Sequence, residues 1–261
     1  MKWSKEAEEA VSRVPFFVRK RVKKKVEEEA ESCGVQVVTL DHVNTCQKRF
    51  MKNMDQEVKG FQVEGCFGPS GCPNPAIDGQ GVAEALEEQL GRRHLRDFLK
   101  ERVQGPLKMH HEFRVSFSCC PNSCSRPQIV DFGLIGAKHP KITQEDCTQC
   151  GACLDACQEG ALRLEEGGGK PVINFEKCLD CGQCISVCPT GTLQEDVQGF
   201  KILVGGKLGR HPQLGKDLQK IHTKEEMLQV LNHYLDIYQA HCQRGERLGE
   251  ILNRQAKENQ K

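Results

Sequence analysis

The sequence predicts an α+β fold: a mixed helix-and-strand domain, split by a cysteine-rich insertion and preceded by a small helical domain. Three observations lead there. Residues 1–50 are highly charged, with apolar residues at helical spacing. Residues 61–136 and 198–258 carry both strand and helix signals. Between these last two, residues 140–196 hold eight cysteines in two evenly spaced runs. A length of 261 residues accommodates one large domain or two or three small ones.

In chain order, the first expected element is the helix carrying Val18, Val22 and Val26 on one face. Arg19, Lys20, Arg21, Lys23, Lys24 and Lys25 crowd its start, and Glu27, Glu28 and Glu29 its end. Lysine four residues ahead of glutamate opposes the helix dipole, so these pairs add little stability. A solvated face explains them; the sharper reading is a basic patch for carboxylates or an acidic electron donor. Val82, Leu86, Leu90, Leu95, Phe98 and Leu99 then follow helical spacing over 82–103, with Gly91 as an interruption. Phe113–Ser118 alternates apolar and polar residues, the pattern of a half-buried strand, and Phe200–Val204 is a second short strand. Thr223-x-x-Glu226 reads as a capping box. It opens a helix whose Met227, Leu231, Tyr234, Leu235 and Tyr238 form one apolar stripe.

The cysteine runs carry the chemistry. They are Cys147-x2-Cys150-x2-Cys153-x3-Cys157 and Cys178-x2-Cys181-x2-Cys184-x3-Cys188, the second followed by Pro189. Three cysteines at this spacing hold one 4Fe–4S cluster, while the fourth serves the other cluster. One cluster therefore takes Cys147, Cys150, Cys153 and Cys188, and the second takes Cys178, Cys181, Cys184 and Cys157. Zinc, usually held by two separated pairs, leaves the middle cysteines unexplained. A disulfide framework suits short secreted chains, whereas residues 1–6 here show no apolar signal core. No stretch approaches the ~20 apolar residues of a membrane helix. The expectation is a cytoplasmic protein in a reducing compartment. A net charge of +1 provides no field that steers the chain to nucleic acid. Gly151 and Gly182, each after a second cysteine, are expected to let backbone amides approach the cluster sulfides. Residues 140–196 resemble the bacterial two-cluster ferredoxins. Gln158 stands where Pro189 does in the other run, a departure expected to tune one cluster.

A second constellation is Cys66-x5-Cys72 with Cys120-x3-Cys124. Spacing alone admits zinc. The surrounding Gly, Pro and Asn residues form turns that expose backbone amides, which suits a sulfide-bearing cluster better. C-x5-C followed by C-P-N-x-C resembles the cluster signature of siroheme-dependent sulfite and nitrite reductases. Phe113–Pro127, Val130–Gly136, Phe200–Pro212 and Gly245–Gly249 extend the likeness over 61–136 and 198–256. This resemblance implies half of a reductase domain with the ferredoxin inserted. It implies a third 4Fe–4S cluster on Cys66, Cys72, Cys120 and Cys124, with Cys124 bridging to siroheme. It also implies that Arg114, Lys207 and Arg210 are catalytic cations facing an oxyanion such as sulfite, although Gly-Gly-Lys stretches are also common solvated turns. The family's K-F-K segment reads Glu112-Phe113-Arg114 here, and a carboxylate facing sulfite would repel it. No related first half precedes Cys66. The partners implied are a low-potential donor or redox protein and a second subunit or oligomer completing the siroheme site. A non-catalytic electron-transfer protein is the alternative. Residues 1–46 resemble the small domain that ends the B subunit of light-independent protochlorophyllide reductase. Cys33, Cys46, Cys119 and Cys242 remain as buried or free thiols.

Overall fold

The computed structural model describes residues 1–14, 16–32, 34–165 and 169–259. The chain forms two compact units: Met1–Val58 with Pro106–Lys108, and Lys59–Gly105 with Met109–Lys261.

The first unit contains β1 (Lys2–Trp3), α1 (Lys5–Ser12), α2 (Phe16–Ser32), β2 (Val37–Val38) and α3 (Leu40–Glu57). Ser4 caps α1, its hydroxyl accepting from the Ala7 amide. Ala7, Val11, Val26, Ala30, Val38 and Val43 form the core, with Trp3, Val22 and Cys46 packed against it. The Trp3 indole donates to Glu27 at 2.9 Å and carries the Lys23 ammonium over its face. Val26 and Val22 thus face inward as their spacing requires. The Val18 side chain and Cys33 lie outside the described residues.

The second unit is built on a five-stranded sheet in the order β3-β4-β5-β8-β9. Its strands are β3 (Phe61–Gly65), β4 (Phe113–Ser118), β5 (Phe132–Ile142), β8 (Leu193–Val204) and β9 (Lys216–His222). β3, β4 and β5 run parallel; β8 and β9 continue the sheet antiparallel. Parallel neighbours need crossovers. The first contains α4 (Val82–Gly91) and α5 (Leu95–Arg102). Gly91 does interrupt the helical pattern, and His94 then turns the chain with a φ of 48°. The second crossover, Cys119–Asp131, contains no α-helix and carries Cys120 and Cys124.

β4 lies inside the sheet, between β3 and β5, and is buried on both faces, not half-buried as its alternation suggests. Phe113, Val115 and Phe117 pack in the core, while Ser116 and Ser118 are equally buried. Their hydroxyls meet the Ser125 carbonyl and hydroxyl, each at 2.7 Å, so burial leaves them satisfied. β8 begins seven residues ahead of the expected Phe200, because Leu193–Val197 pairs with His139–Ile142 as a ribbon continuing the sheet. The expected insertion limits at 140 and 196 both fall within this ribbon.

Beyond the ribbon lie α6 (Ala152–Ala156), the hairpin β6 (Leu162–Leu164) with β7 (Pro171–Ile173), and α7 (Gln183–Ser186). The last helices are α8 (Lys224–His241) and α9 (Leu248–Glu258). The Thr223–Glu226 capping box forms: Thr223 Oγ1 accepts from the Glu226 amide at 3.2 Å, and Glu226 accepts from the Thr223 amide at 2.9 Å. Met227, Leu231, Leu235 and Tyr238 are buried along α8, and the Tyr238 ring packs edge-on to Phe113. Tyr234, half-buried, meets Phe132. Among the described residues, no helix is long and apolar enough to cross a membrane.

Candidate functional site

Twelve cysteines of the second unit fall into three neighbourhoods. In the first, Cys147, Cys150, Cys153 and Cys188 line one small cavity with Leu164, Pro171 and Leu193. Burial first, and then Cys147, Cys150 and Cys188, push the Cys153 thiol up. Burial would do the same to Cys188, but the Leu193 amide and the Thr190 hydroxyl outweigh it and hold that thiol below its ordinary value. The Gln149 amide donates to Cys147 Sγ at 3.4 Å.

The second neighbourhood joins Cys178, Cys181 and Cys184 to Cys157. Burial, followed by Cys181, Cys178 and Cys157, pushes the Cys184 thiol to about 12. The Ala161 amide donates to Cys157 Sγ at 3.3 Å. Gly151 and Gly182 precede the short helices α6 and α7 with φ values of 76° and 71°. Their first requirement is this left-handed turn; Gly182 additionally packs against the Lys138 side chain.

The third neighbourhood sits where β3 and β4 end side by side. Parallel register aligns Gly65 with Phe117, and the Cys66 amide donates to the Phe117 carbonyl. Cys72 follows a tight turn through Gly71, whose φ is 107°. Cys119 and then Cys120 follow the end of β4, and Cys124 comes after a turn in which Ser123 has a φ of 53°. Burial, then Cys124, Cys66 and Cys72, raise the Cys120 thiol. Cys66 Sγ accepts from the Cys119 and Gly68 amides at 3.2 and 3.3 Å. Cys119 is buried behind Cys66, and burial followed by that neighbour pushes its thiol to about 12. Cys124 is exposed.

The donor set fits iron–sulfur clusters. Each neighbourhood offers four thiols, at least one of them buried, with backbone amides donating to sulfur. Protonated thiols tolerate burial; metal binding takes their protons and replaces them. Among the described residues, no three His, Cys, Asp or Glu side chains converge on a single ion. A cluster of four irons is wider than one ion, and its thiolates stand around its outside.

Several polar residues that the sequence did not mark hold this unit together. Asp180, buried with a φ of 60°, takes Lys201 Nζ at 2.6 Å and His139 Nδ1 at 2.7 Å. Burial opposes its ionisation, yet Lys201 and His139 keep its carboxyl below the usual range. Asp131, fully buried, accepts from the Arg247 guanidinium, the Leu248 amide and the Arg114 amide. Neither aspartate has a local signal, since its partners lie on distant strands and helices.

The three cationic candidates lie away from the ends of β3 and β4 that carry cysteines. Arg114 is the second residue of β4, which is six residues long, about 20 Å. Its amide bonds Asp131 at 2.8 Å, and its Nε is buried without a hydrogen-bond partner among the described residues. Antiparallel register pairs Val204 with Phe132, so the turn carrying Lys207 and Arg210 also lies at the start of β5. Lys207 is buried and pairs with Glu250 at 2.6 Å, while Arg210 is exposed. Glu112 corrects the reading of the E-F-R segment. Its carboxylate is buried and turned onto the start of β3, accepting from the Lys59 and Gly60 amides at 2.8 and 3.2 Å and from the Gln62 amide group at 2.6 Å. An acid so occupied faces no anion. Cys242 is buried like Cys119, and Cys46 partly so.

The chain is similar to several known proteins. Residues 3–46 match the family described as Proto-chlorophyllide reductase 57 kD subunit. Over 191 residues the chain is 35% identical to a Coenzyme F420-dependent sulfite reductase of Methanocaldococcus jannaschii, a match covering 72% of this chain and 28% of that protein. Over 144 residues it is 27% identical to one subunit of the anaerobic sulfite reductase of Salmonella typhimurium, covering 51% of this chain and 40% of that one. The chain thus spans well under two thirds of the length of these relatives. A crystal structure of dissimilatory sulfite reductase I aligns at a TM-score of 0.49 and 21% identity, over 81% of this chain and 55% of that one. Residues 60–259, almost the whole of the sheet-containing unit with its three cysteine neighbourhoods, match the Nitrite and sulphite reductase 4Fe-4S domain, and the chain belongs to that family.

Proposed function

We propose that this chain is an iron–sulfur redox protein of the sulfite reductase type. In this reading it passes electrons from two clusters in the ferredoxin-like insertion, residues 140–196, to a third held by Cys66, Cys72, Cys120 and Cys124. The observation that carries the proposal is the crossing of the fourth cysteines: Cys188 neighbours the first run and Cys157 the second. That exchange suits paired clusters and has no purpose for separate single ions.

The clusters, when bound, supply reversible one-electron storage at low potential. The chain's own residues do the rest. The amides of Gln149, Ala161 and Leu193 donate to ligand sulfurs in the insertion. Those of Gly68 and Cys119 do so at Cys66. Such donors favour the more negative, reduced state. Buried Cys153, Cys184 and Cys120 limit access of water.

For siroheme the fit is incomplete. Exposed Cys124 would be the residue to supply a thiolate to its iron. Lys207, however, already answers Glu250, and Arg114 and Arg210 stand toward the other end of β4. This supports a second reading, in which the chain delivers electrons to a partner subunit or second copy that supplies the missing cations for an oxyanion such as sulfite. A reducing cytoplasm suits either reading.

Anaerobic purification with iron and sulfide counting and a visible spectrum tests both. About twelve cluster irons plus the siroheme iron and its band are expected of the complete reductase, and about twelve irons without the band of the electron carrier. About eight irons removes the third cluster and the proposal with it. Where siroheme is found, Cys124→Ser is expected to abolish its binding; unchanged binding refutes the thiolate bridge.

A further inference from the structure

Strand β5 touches the three cysteine neighbourhoods one after another. Near its middle, Gly136 lies against the backbone of Cys119. A Cβ at Gly136 would come within 2.5 Å of that carbonyl oxygen, which itself accepts from the Ala76 and Ile77 amides. Two residues on, the Lys138 amide donates to the Asp180 carbonyl at 2.6 Å, and Lys138 pairs with Cys181 as in a parallel ladder. The Asp180 carboxylate fastens the same turn to His139 on β5 and Lys201 on β8. At the far end, Ile142 pairs with Leu193, whose amide donates to Cys188 Sγ at 3.4 Å. The Thr143 amide and hydroxyl reach the Thr192 and Gly191 carbonyls, each at 2.8 Å, and the Thr192 hydroxyl reaches the Asp146 carbonyl beside Cys147.

We infer that β5 sets the order of the electron path: the Cys147–Cys150–Cys153–Cys188 group is outermost, the Cys157–Cys178–Cys181–Cys184 group is the obligatory middle, and the Cys66–Cys72–Cys120–Cys124 group is innermost. The inference rests on the proposed cluster content. At about 3.3 Å per residue, the anchors at Gly136 and Lys138 are about 7 Å apart, and those at Gly136 and Thr143 about 23 Å apart. Electron tunnelling weakens steeply with distance, so transfer from the outer group to the inner one proceeds through the middle one. Cys150 is exposed, so the outer group, at the end of β5 away from Cys119, is open to the donor, a low-potential one-electron reductant. Each transfer oxidises one centre and reduces the next by one electron; no bond forms or breaks. The two insertion groups are consequently not equivalent, although their sequence spacings are identical.

The test uses the full chain, anaerobically prepared and fully reduced with dithionite, with spin–spin coupling between clusters read by electron paramagnetic resonance. Iron counting first establishes that the wild type holds about twelve irons. About eight would overturn the cluster reading and the inference together, and is recognised by the count alone. Cys150→Ala removes the outer group and is expected to leave the remaining two coupled and their spectrum broadened. Cys181→Ala removes the middle group and is expected to leave two centres whose spectrum is a simple sum. Coupling in Cys181→Ala as strong as in Cys150→Ala overturns the order. Lys201→Met tests it without deleting a ligand. It is expected to lower the midpoint potential of the one centre whose reduction broadens both other signals. A shift confined to a centre coupled to only one neighbour overturns the assignment.

Discussion

The inward-turned Glu112 can be probed by placing a lysine there, the residue that the resemblance to a K-F-K segment leads one to expect. Glu112 is 2% exposed and accepts three hydrogen bonds, two of them from the Lys59 and Gly60 amides. Glu112→Lys replaces their acceptor with a cation that has only donors. Leaving the buried Gly60 amide unpaired costs about 1–3 kcal/mol, and the part-buried Lys59 amide less. The unpaired ammonium adds to this unless it escapes to water. A total loss of about 3–6 kcal/mol follows, a large share of a typical domain's stability. Glu112→Gln retains a carbonyl oxygen for both amides and loses only charge assistance, about 1–2 kcal/mol. The assay is anaerobic urea unfolding of the full chain, followed by circular dichroism. Glu112→Lys should lower the midpoint by roughly 1 M or more, with Glu112→Gln in between. The reasoning fails if Glu112→Lys unfolds within about 0.5 kcal/mol of the wild type, the ordinary range for a surface substitution. It also fails if the glutamine variant is as damaging as the lysine one.

Three further outcomes follow from the same physical reading. Gly136→Ala drives a Cβ into the Cys119 carbonyl, so iron should fall to roughly eight per chain as the Cys66 group is lost and the insertion groups persist; retention of all iron would refute the close approach. Thr223→Ala removes the acceptor at the start of α8 and should cost about 1 kcal/mol in thermal or urea unfolding, restored in large part by Thr223→Ser. His222 is buried, and burial followed by nearby Lys220 lowers its pKa below 6.5. The folded state therefore favours the neutral ring. Its contribution is complete above pH 6.5 and is lost as pH falls from there toward the folded pKa. Unfolding midpoints of His222→Gln should decline less than wild type between pH 7 and 5, and parallel slopes would count against the assignment.

Local rules were enough to read much of this protein. The capping box at Thr223, the stripe from Met227 to Tyr238 and the break at Gly91 each depend on residues within one or two helical turns. The twelve proposed ligands were singled out the same way, from thiols separated by two, three or five residues, and the structure gathers them in three neighbourhoods. Beyond that range the sequence misleads. Phe113–Ser118 alternates like a half-exposed strand, but its serines are buried against Ser125, which returns over β4 from the crossover. Glu112 reads as an acid in place of a base at an anion site, but its partners, Lys59 and Gly60, lie over fifty residues away. Lys207 reads as a free cation, but Glu250 comes from the last helix. The sequence by itself determined where the thiols gather that the proposed clusters would use, where α8 begins and where the 82–103 pattern breaks, since all three are governed by neighbours along the chain. Only the tertiary structure decided that Asp131 and Asp180 act as hubs, that Glu112 turns inward, and that the three cysteine groups follow one another along β5. Those features depend on which strands lie side by side, and strand partnership is settled by packing across the whole unit.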